Sequence, residues 1–379
     1  MTYLHPARIR IRRPYDVEGD WILFSTCNYR CAYCFWDEAA LGAKIAPIAP
    51  VASLAAYFDR TGLTWLLHLT GGEPFIYPDF VRLCRLLTRR HLISINTNAD
   101  SPHVRAFVDT VDPARVDFVN CGVHERQRLA HRGTDRFVAN VTALRAAGFD
   151  AFASCVLSPD LIGEFPGIWQ RYADAGVVVI PKAFRGAYRG RRYPAGYTAA
   201  DRELFRDYSA RAAEFYAAQF ARRDEPPTIN PFMDGHLFLD ELPDYRGDLC
   251  AAGRSFVRIV PDGEVRRCGP DDVVGHVLEG WFTRRSQAAP CTTLECPYFC
   301  EKYRVVPADG TTGGQGRAPA AGPRSAHGEQ DAAGAGVRLP AVRQPDVVED
   351  QQVARRPVET DGAALPGLPD LDQVVQPER

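Results

Sequence analysis

Six short apolar segments alternate with amphipathic segments between residues 20 and 184. Each apolar segment has the length of a buried strand, and segments such as Phe75–Thr88 and Arg136–Ala147 carry apolar residues at helical spacing. Such β/α units in series imply parallel strands joined by right-handed crossovers, as a barrel, a partial barrel or a doubly wound open sheet. In each of these folds, functional residues gather at the carboxyl ends of the strands. The six predicted strands are Trp21–Ser25, Thr64–Thr70, Leu92–Asn96, Val116–Cys121, Asp150–Leu157 and Val177–Ile180.

The pattern changes after this region. A long helix is predicted over Thr198–Arg223, and short elements with many cysteines follow it. The last segment contains no Cys, Phe, Trp or Tyr, a composition that predicts disorder because little apolar surface could be buried. We therefore divide the chain into an N-terminal lead (1–19), a barrel (20–197), a helical bridge (198–245), a small cysteine-rich domain (246–305) and a disordered low-complexity tail (306–379).

The composition is that of an ordinary globular chain of 379 residues, with 46% hydrophobic and 24% charged residues. A formal net charge of −2 argues against nucleic-acid binding through a strongly basic surface. No apolar segment follows the basic N-terminal residues as in a secretory signal, and none reaches the roughly 18 residues of a membrane span. We therefore expect a cytoplasmic enzyme that binds neither nucleic acid nor a membrane.

Cysteine is the most informative residue type in this sequence. All 11 cysteines lie within the first 300 residues, and most of them fall into two groups. In a chain without an export signal, such grouping favours metal ligation over disulfide bonds. Isolated cysteines are more often small buried hydrophobic residues. The first group is Cys27, Cys31 and Cys34, the second is Cys250, Cys268, Cys291, Cys296 and Cys300, and the isolated cysteines are Cys84, Cys121 and Cys155.

The first group follows the first predicted strand, on the loop that leaves it. Three thiolates at these spacings can each bind one iron of a cubane cluster and leave the fourth iron without a protein ligand. The alternative is structural zinc, which takes four protein ligands, and no nearby Cys or His supplies a fourth. The second predicted strand ends in Gly71, Gly72, Glu73 and Pro74, where paired glycines permit close approach of the backbone to a ligand.

Together, this cysteine spacing and the Gly-Gly-Glu-Pro sequence resemble the radical S-adenosylmethionine (SAM) superfamily, over residues 20–184. The resemblance implies a partial (β/α)6 barrel of the TIM type. It also implies that the three cysteines bind a [4Fe–4S] cluster, that SAM chelates its open iron, and that an external flavodoxin- or ferredoxin-type protein supplies one electron. Reductive cleavage of SAM then yields a 5′-deoxyadenosyl radical, which removes hydrogen from an unactivated carbon.

The resemblance further implies which residues meet SAM. Asn96 and Asn98 also suit a turn whose side chains are satisfied locally, and both interpretations stay open. The residues assigned are Tyr33 to the adenine, Gly71, Gly72 and Glu73 to the methionine amino group, and Asn96 and Asn98 to the ribose or carboxylate.

The second cysteine group contains a Pro-Asp-Gly turn between two β-rich segments, which predicts a hairpin that brings Cys250 and Cys268 together. The spacing resembles the SPASM domain, or the shorter twitch domain, which holds auxiliary iron–sulfur clusters. Five cysteines fit one auxiliary [4Fe–4S] cluster, with Cys250, Cys268, Cys296 and Cys300 as ligands and Cys291 as their competitor. A zinc knuckle is the alternative. Such a cluster would accept an electron from the substrate radical, anchor the substrate or only hold the domain together.

Polar segments follow the last three predicted strands. Basic side chains beside a radical site suit a substrate with phosphate, carboxylate or many hydroxyl groups. Cys121 and Cys155 are either hydrogen-atom donors or core residues, and His124 is either functional or a satisfied turn residue. The candidate catalytic residues are therefore Lys182, Arg185, His124, Cys121 and Cys155.

The substrate class is the least constrained prediction. Peptide-modifying relatives often carry an N-terminal recognition domain, for which the 26 residues before Cys27 leave no room. We therefore expect a carbohydrate, aminocyclitol or nucleoside-like small molecule of natural-product (antibiotic) biosynthesis, oxidised by dehydrogenation or otherwise remodelled. The alternatives are a maturase of ribosomal peptides or protein side chains, and a zinc-binding module without catalysis.

Overall fold

The computed structural model describes residues 15–220, 246–268 and 272–292, together with the backbone of residues 337–338. An eleven-stranded sheet organises this part of the chain, and six neighbouring strands in it are parallel. These strands are β1 (Val17–Ile22), β2 (Trp65–Thr70), β3 (Leu92–Thr97), β4 (Val116–Gly122), β5 (Ala151–Leu157) and β6 (Val179–Ala183).

Most helices between the strands bury apolar residues in the main core, whereas the long last helix contributes Ala212 and Tyr216 to a separate cluster with Phe118 and Phe152. In α2, for example, Leu54 and Phe58 lie one helical turn apart, and both are buried in the main core. The helices are α1 (Glu38–Gly42), α2 (Val51–Arg60), α3 (Phe80–Leu87), α4 (His103–Thr110), α5 (Glu125–Ala130), α6 (Thr134–Ala146), α7 (Phe165–Asp174) and α8 (Ala199–Phe220).

The order of the parallel strands decides between the predicted folds. Strands β1 to β6 are neighbours in chain order, as in a barrel, whereas a doubly wound sheet reverses direction at a switch point. The sheet does not close, because β6 stands at one end of the strand order. The partial (β/α)6 barrel is therefore confirmed.

The first strand differs from its prediction, because it begins at Val17 and ends at Ile22. The polar residues Glu18 and Asp20 predict a loop at this point of the sequence, yet Glu18 is fully buried in the barrel interior. Polar residues on the interior face interrupt the apolar signal that predicts a strand. The helix predicted over Phe75–Thr88 is also shorter, since it begins only after Asp79, whose backbone is left-handed (φ 57°).

A buried polar layer crosses the barrel interior beneath the strand ends. The Nε2 atom of His68 lies 2.7 Å from Glu18 Oε1, and its Nδ1 atom contacts the Ser94 hydroxyl. All three side chains are fully buried, and the His68 ring stacks on Phe118 with ring centroids 5.7 Å apart. Because buried polar groups are tolerated when they are hydrogen-bonded, this layer forms a stable floor under the strand ends.

The strands of the cysteine-rich region extend the barrel sheet. β10 (Phe256–Ile259) lies parallel to β1, and the predicted hairpin connects it to β11 (Glu264–Arg266). The sheet continues through β12 (Val273–His276), β13 (Trp281–Phe282) and β15 (Val337–Arg338). Two further antiparallel pairs join β7 (Gly186–Tyr188) to β8 (Arg191–Tyr193) and β9 (Leu249–Cys250) to β14 (Ala289–Pro290).

Several predictions concern residues outside the described ranges. They are the start of the lead, the end of the long helix and the rest of the helical bridge, Cys296 and Cys300, and nearly all of the predicted disordered tail. Within the described ranges, every helix is too short or too polar to cross a membrane.

Candidate active site

The carboxyl ends of the parallel strands and the loop after β1 surround a cavity of about 450 Å³. Its position agrees with the general location of active sites in β/α barrels. Most of the predicted site residues line it, whereas Glu73, Cys121 and Cys155 do not. The predicted residues that line the cavity are Cys27, Cys31, Tyr33, Cys34, Gly71, Gly72, Asn96, Asn98, His124, Lys182 and Arg185.

Backbone hydrogen bonds hold the cysteine loop at the mouth of this cavity. The Cys27 N–H donates to the Leu41 carbonyl (3.0 Å), and the Cys34 N–H donates to the Cys31 carbonyl (2.9 Å). Within the described parts of the chain, no three His, Cys, Asp or Glu side chains converge as in a finished metal site. The loop instead presents three thiols to one space.

Burial raises the pKa of the Cys27 thiol to about 12 and the pKa of the Cys31 thiol to about 11. Both groups are therefore neutral thiols at neutral pH in the protein without metal. A coordinated metal cation ionises such thiols because its charge stabilises the thiolate. A donor set of three thiols fits iron–sulfur chemistry.

Gly71 and Gly72 bring the end of β2 against the segment that leads to Cys27. A Cβ atom on Gly72 would lie 1.8 Å from the Thr26 carbonyl oxygen. A Cβ atom on Gly71 would lie 2.6 Å from the Phe24 carbonyl oxygen. The Gly72 N–H also donates to the Phe24 carbonyl (2.9 Å). The paired glycines therefore permit close approach to the cysteine loop itself, in addition to facing the cavity.

Glu73 is buried beside the cavity and binds other parts of the protein. Its carboxylate accepts hydrogen bonds from the Thr97 hydroxyl (2.6 Å) and from the N–H groups of Asn98 (2.6 Å) and Phe75 (3.0 Å). Burial raises the pKa of this carboxyl, and the three hydrogen bonds oppose that rise. In this geometry Glu73 fastens the end of β3 to the end of β2, and its predicted contact with SAM stays a prediction.

A hydrogen-bonded row of polar side chains crosses three strand ends. Asn120 donates from Nδ2 to Asn96 Oδ1 (2.9 Å) and accepts from the Ser154 hydroxyl at Oδ1 (2.7 Å). All three residues line the cavity. Asn120 and Ser154 were not among the predicted site residues, although strand alternation places each on the same interior face as Asn96. That alternation is the signal that could have identified them.

Asn98 is used largely within its own turn. Its Oδ1 atom accepts from the Asp100 N–H (2.9 Å), and its Nδ2 donates to Asn28 Oδ1 (2.7 Å) on the cysteine loop. The turn interpretation of Asn98 is therefore the one that the contacts support, and the side chain still borders the cavity.

Tyr33 and His124 form one wall of the cavity. The Tyr33 hydroxyl lies 2.7 Å from His124 Nδ1, the same atom lies 3.4 Å from the Cys31 sulfur, and the two rings are nearly parallel. Burial, and secondarily the charge of Arg128, lowers the pKa of His124 to about 4, so the ring is neutral at neutral pH. His124 therefore links the cysteine loop to the end of β4.

Arg128 holds the loops after β3 and β4 together from behind the cavity. Its fully buried guanidinium donates to the carbonyls of Val123 (2.7 Å), Gly122 (2.9 Å) and Asn98. The group also lies over the Phe137 ring, 3.9 Å from the ring centroid. Nothing in the local sequence distinguishes Arg128 from a surface helix residue, so sequence reasoning missed it.

Lys182 and Arg185 line the cavity from the β6 side, and both also interact within the protein. Cys121 and Cys155 are buried in the core cluster, and their neighbours Asn120 and Ser154 line the cavity instead. Because alternate residues of a strand point to opposite faces, the two cysteines face away from the cavity. The geometry favours the core interpretation of both over the hydrogen-donor interpretation.

Three cysteines of the second group meet in a small cluster of their own. Cys250 and Cys268 are buried together with Ala252, and Cys291 packs against them. The pairing of β9 with β14 places Ala289 opposite Cys250. Because Cys291 directly follows β14, this pairing also brings Cys291 close to Cys250. Hydrogen bonds fix this arrangement, since the Cys291 N–H donates to the Asp248 carbonyl (2.8 Å).

The chain resembles known proteins chiefly through its barrel. GTP 3′,8-cyclase 1 of Mycobacterium tuberculosis is 27% identical over 168 residues, which cover 38% of this chain and 44% of the cyclase. Mycofactocin maturase MftC of Mycobacterium ulcerans is 26% identical over 260 residues, covering 65% of this chain and 67% of the maturase. Streptococcus suis SuiB bound to S-adenosylmethionine, a solved structure, has a TM-score of 0.46 and 12% identity over 70% of this chain and 64% of SuiB. The chain spans less than half the length of the cyclases it matches.

The sequence pattern of the Radical SAM superfamily matches residues 21–167. The match contains the three cysteines of the first group and the Gly-Gly-Glu-Pro sequence. The three cysteines and the two glycines of this set line the same cavity. Residues 21–167 therefore match the radical SAM superfamily through cysteines and glycines that line this cavity.

Proposed function

We propose that Cys27, Cys31 and Cys34 hold a [4Fe–4S] cluster at the mouth of the cavity and that SAM binds beside it. The observation that carries this proposal is that three cysteines and the Gly71–Gly72 backbone line one cavity at the strand ends. When bound, the cluster and SAM supply a carbon-centred radical, which protein side chains cannot supply on their own. An external flavodoxin- or ferredoxin-type reductant completes the system.

The side chains of this cavity then bind, orient and exclude water. Tyr33 offers its ring to the adenine, Gly71 and Gly72 offer backbone groups to the methionine end, and Asn96 offers an amide to the ribose or carboxylate. Glu73 acts by holding the β3 end in place, since its carboxylate is already occupied by three donors. Such fixed positioning is the protein's main contribution when a cofactor carries the chemistry.

For the substrate, we propose a carbohydrate, aminocyclitol or nucleoside-like small molecule of natural-product (antibiotic) biosynthesis, oxidised by dehydrogenation or otherwise remodelled. Asn120 and Ser154 provide an amide and a hydroxyl that suit a polyhydroxylated ligand, and Phe118 and Phe152 provide apolar faces for its ring. Lys182 borders the same space. A cytoplasmic location suits a cluster that oxygen destroys.

A peptide maturase is a second candidate, and one observation favours it. The similarity to mycofactocin maturase MftC covers 65% of this chain, whereas the similarity to the cyclase covers 38%. The maturase similarity therefore reaches well beyond the barrel core that both relatives share. A peptide substrate would enter the same cavity with one side chain.

We also propose one auxiliary [4Fe–4S] cluster at the second cysteine group. Its support is the meeting of Cys250, Cys268 and Cys291 in one buried cluster, which places the competing ligand Cys291 with the predicted ones. Cys296 and Cys300 lie outside the described residues and supply the remaining ligand in this proposal. Zinc at this group is the alternative.

The central test is anaerobic reconstitution of the full chain with iron and sulfide, followed by reduction in the presence of SAM. We expect 5′-deoxyadenosine from the wild type and none from a Cys27/Cys31/Cys34→Ala triple variant, which should keep about half of the iron if two clusters of equal size are present. Cys84→Ala is the matched control, because Cys84 is buried in α3 and does not line the cavity. A wild type that yields no 5′-deoxyadenosine would contradict the proposal.

The substrate is tested by transfer of deuterium to 5′-deoxyadenosine. Deuterated sugars, aminocyclitols and nucleosides form one set of candidates, and deuterated precursor peptides form the other. Deuterium in 5′-deoxyadenosine from the first set supports the small-molecule proposal, and deuterium only from the second set supports the maturase.

A further inference from the structure

Arg267 is a buried arginine in the middle of the second cysteine group. It directly precedes Cys268, and only 6% of its surface is exposed. Its Nη2 atom donates to the carbonyls of Ala289 (3.0 Å) and Pro290 (2.8 Å), the two residues before Cys291. The guanidinium therefore contacts β14, the strand that pairs with Cys250 and is directly followed by Cys291.

Within the described ranges, no acidic side chain pairs with the charge of this group. Among the described residues, the Arg267 guanidinium meets two neutral carbonyls and forms no ion pair, and its buried Nε has no acceptor. A buried cation is costly unless an anion compensates it. Two neighbouring arginines show the usual arrangement, because Arg266 pairs with Glu264 (2.6 Å) and Arg285 pairs with Asp272.

The thiols around Arg267 can become the missing anion. Metal coordination by Cys250, Cys268 and Cys291 would convert their thiols into thiolates. An iron–sulfur cluster held by four thiolates carries net negative charge, which increases by one unit when the cluster accepts an electron. A fixed positive charge nearby therefore stabilises the reduced form more than the oxidised form.

We propose that Arg267 balances the charge of the auxiliary cluster and raises its reduction potential. This inference rests on the proposed presence of that cluster and adds a function for a residue that is no ligand. Arg267 is a positioning residue in this scheme, acting on the second site through charge and hydrogen bonding.

The test uses the full chain with the Cys27/Cys31/Cys34→Ala replacements, so that iron in the second group is observed by itself. Arg267→Met keeps the length and apolar stem of the side chain and removes its charge, whereas Arg267→Lys keeps the charge. Arg285→Met is the matched control, because it removes a neighbouring arginine whose charge is already paired. Each variant is reconstituted anaerobically, its iron and sulfide are counted, and its potential is measured by a redox titration followed by electron paramagnetic resonance.

We expect Arg267→Met to lower the reduction potential, Arg267→Lys to restore much of it, and Arg285→Met to leave it close to the starting value. An unchanged potential in Arg267→Met with full iron content would overturn the inference. A shift of equal size in Arg285→Met would overturn it as well, since the effect would then be a general one of surface charge.

A second measurement separates this function from a purely structural one. In the metal-free chain, Arg267→Met removes an uncompensated buried charge but also the donor to the Ala289 and Pro290 carbonyls. Because these two effects oppose each other, urea unfolding should change little. In the reconstituted chain, the same change should make the cluster easier to extract with a chelator. A variant that is destabilised equally with and without metal would show that Arg267 only supports the fold.

The iron count distinguishes the failure of this inference from failure of the auxiliary cluster. If the second group with Arg267 intact binds no iron, or binds only zinc, the proposed cluster is wrong and the inference falls with it. If iron and sulfide are present and the potential ignores Arg267→Met, the cluster stands and the inference alone is wrong.

Discussion

The first cysteine group lies on a loop of the six-stranded parallel sheet. In the second group only Cys268 follows a strand of the large sheet, β11, whereas Cys250 and Cys291 depend on β9 and β14, two strands of two residues each. Around the first group, Gly72, Glu73 and Arg128 tie neighbouring strand ends together. The core cluster of the second group consists of two cysteines and one alanine, with a third cysteine packed against it. The two groups therefore differ in how much of their arrangement the protein makes without metal.

This difference indicates how far the arrangement of each cysteine group would depend on bound metal. At the first group, backbone hydrogen bonds and the close approach of Gly72 hold the loop, so we expect the loop to keep its position without metal. At the second group, little apolar surface is buried locally, so ligation itself would contribute to local folding. Experiments on single residues can test this contrast.

The largest effect is expected for Gly72→Ala. The new methyl group would overlap the Thr26 carbonyl, so the β2 end and the cysteine loop must separate, with a stability cost of about 1–3 kcal/mol or more. We expect loss of SAM cleavage, measured as 5′-deoxyadenosine, and loss of the iron bound by the first group only. Gly163→Ala is the control, because a methyl group there has nothing within 4 Å. Equal loss of iron from both groups would show that the two sites are not independent.

The next largest effect is expected for Arg128→Met. It leaves the carbonyls of Asn98, Gly122 and Val123 without their buried donor, at a cost on the order of 3 kcal/mol. Arg126→Met on the same helix is the control, because its exposed pair with Glu164 contributes at most about 1 kcal/mol. Urea unfolding and SAM affinity are the measurements. Similar values for the two variants would contradict the assigned function of Arg128.

Metal removal should affect the two regions unequally. After anaerobic chelation, backbone amide hydrogen exchange of β9 and β14 should accelerate at least about tenfold, because ligation contributes to their local stability. The amides of β2 to β5 should change much less. Mass spectrometry of peptides from both regions measures the difference in exchange rates. Equal acceleration in both regions would contradict the idea that only the second group depends on metal for its local stability.

The smallest expected effect concerns acid sensitivity of the barrel, far from either cysteine group in sequence. His91 is buried before β3 and accepts the Trp65 N–H, and burial lowers its pKa, partly opposed by Asp59. The folded protein therefore binds a proton less readily than the unfolded chain, so stability should fall as the pH drops below about 6.5. His91→Gln should reduce the loss between pH 7.5 and 5.5 in urea unfolding, whereas His103→Gln, at an exposed position, should not. An unchanged pH dependence in His91→Gln would contradict this assignment.

Most of the fold could be predicted from the sequence, because buried strands and amphipathic helices leave distinct periodic patterns. The same physics explains the error in β1, where Glu18 is buried through its contact with His68, a residue distant in sequence. Long-range pairing of this kind leaves no local pattern. The confirmed hairpin after β10, by contrast, depends on a local Pro-Asp-Gly turn.

The candidate site was only partly predictable for the same reason. The cysteines and glycines have fixed spacing within short segments and could be identified directly. Asn120 and Ser154 belong to the site because two strands stand side by side, and Arg128 because the loops after β3 and β4 converge on it. Whether a side chain such as Cys121 faces the cavity or the helices depends on strand register, which is known only once the boundaries of the strand are known.

The parallel pairing of β10 with β1 also has a consequence for biosynthesis. Until residue 256 leaves the ribosome, one edge of β1 lacks the partner that covers it in the finished sheet. At about 5–20 residues per second, this interval lasts on the order of tens of seconds, during which an uncovered strand edge can pair with another nascent chain. Slow translation or truncation before β10 should therefore promote aggregation, and chaperone binding should be strongest in that interval.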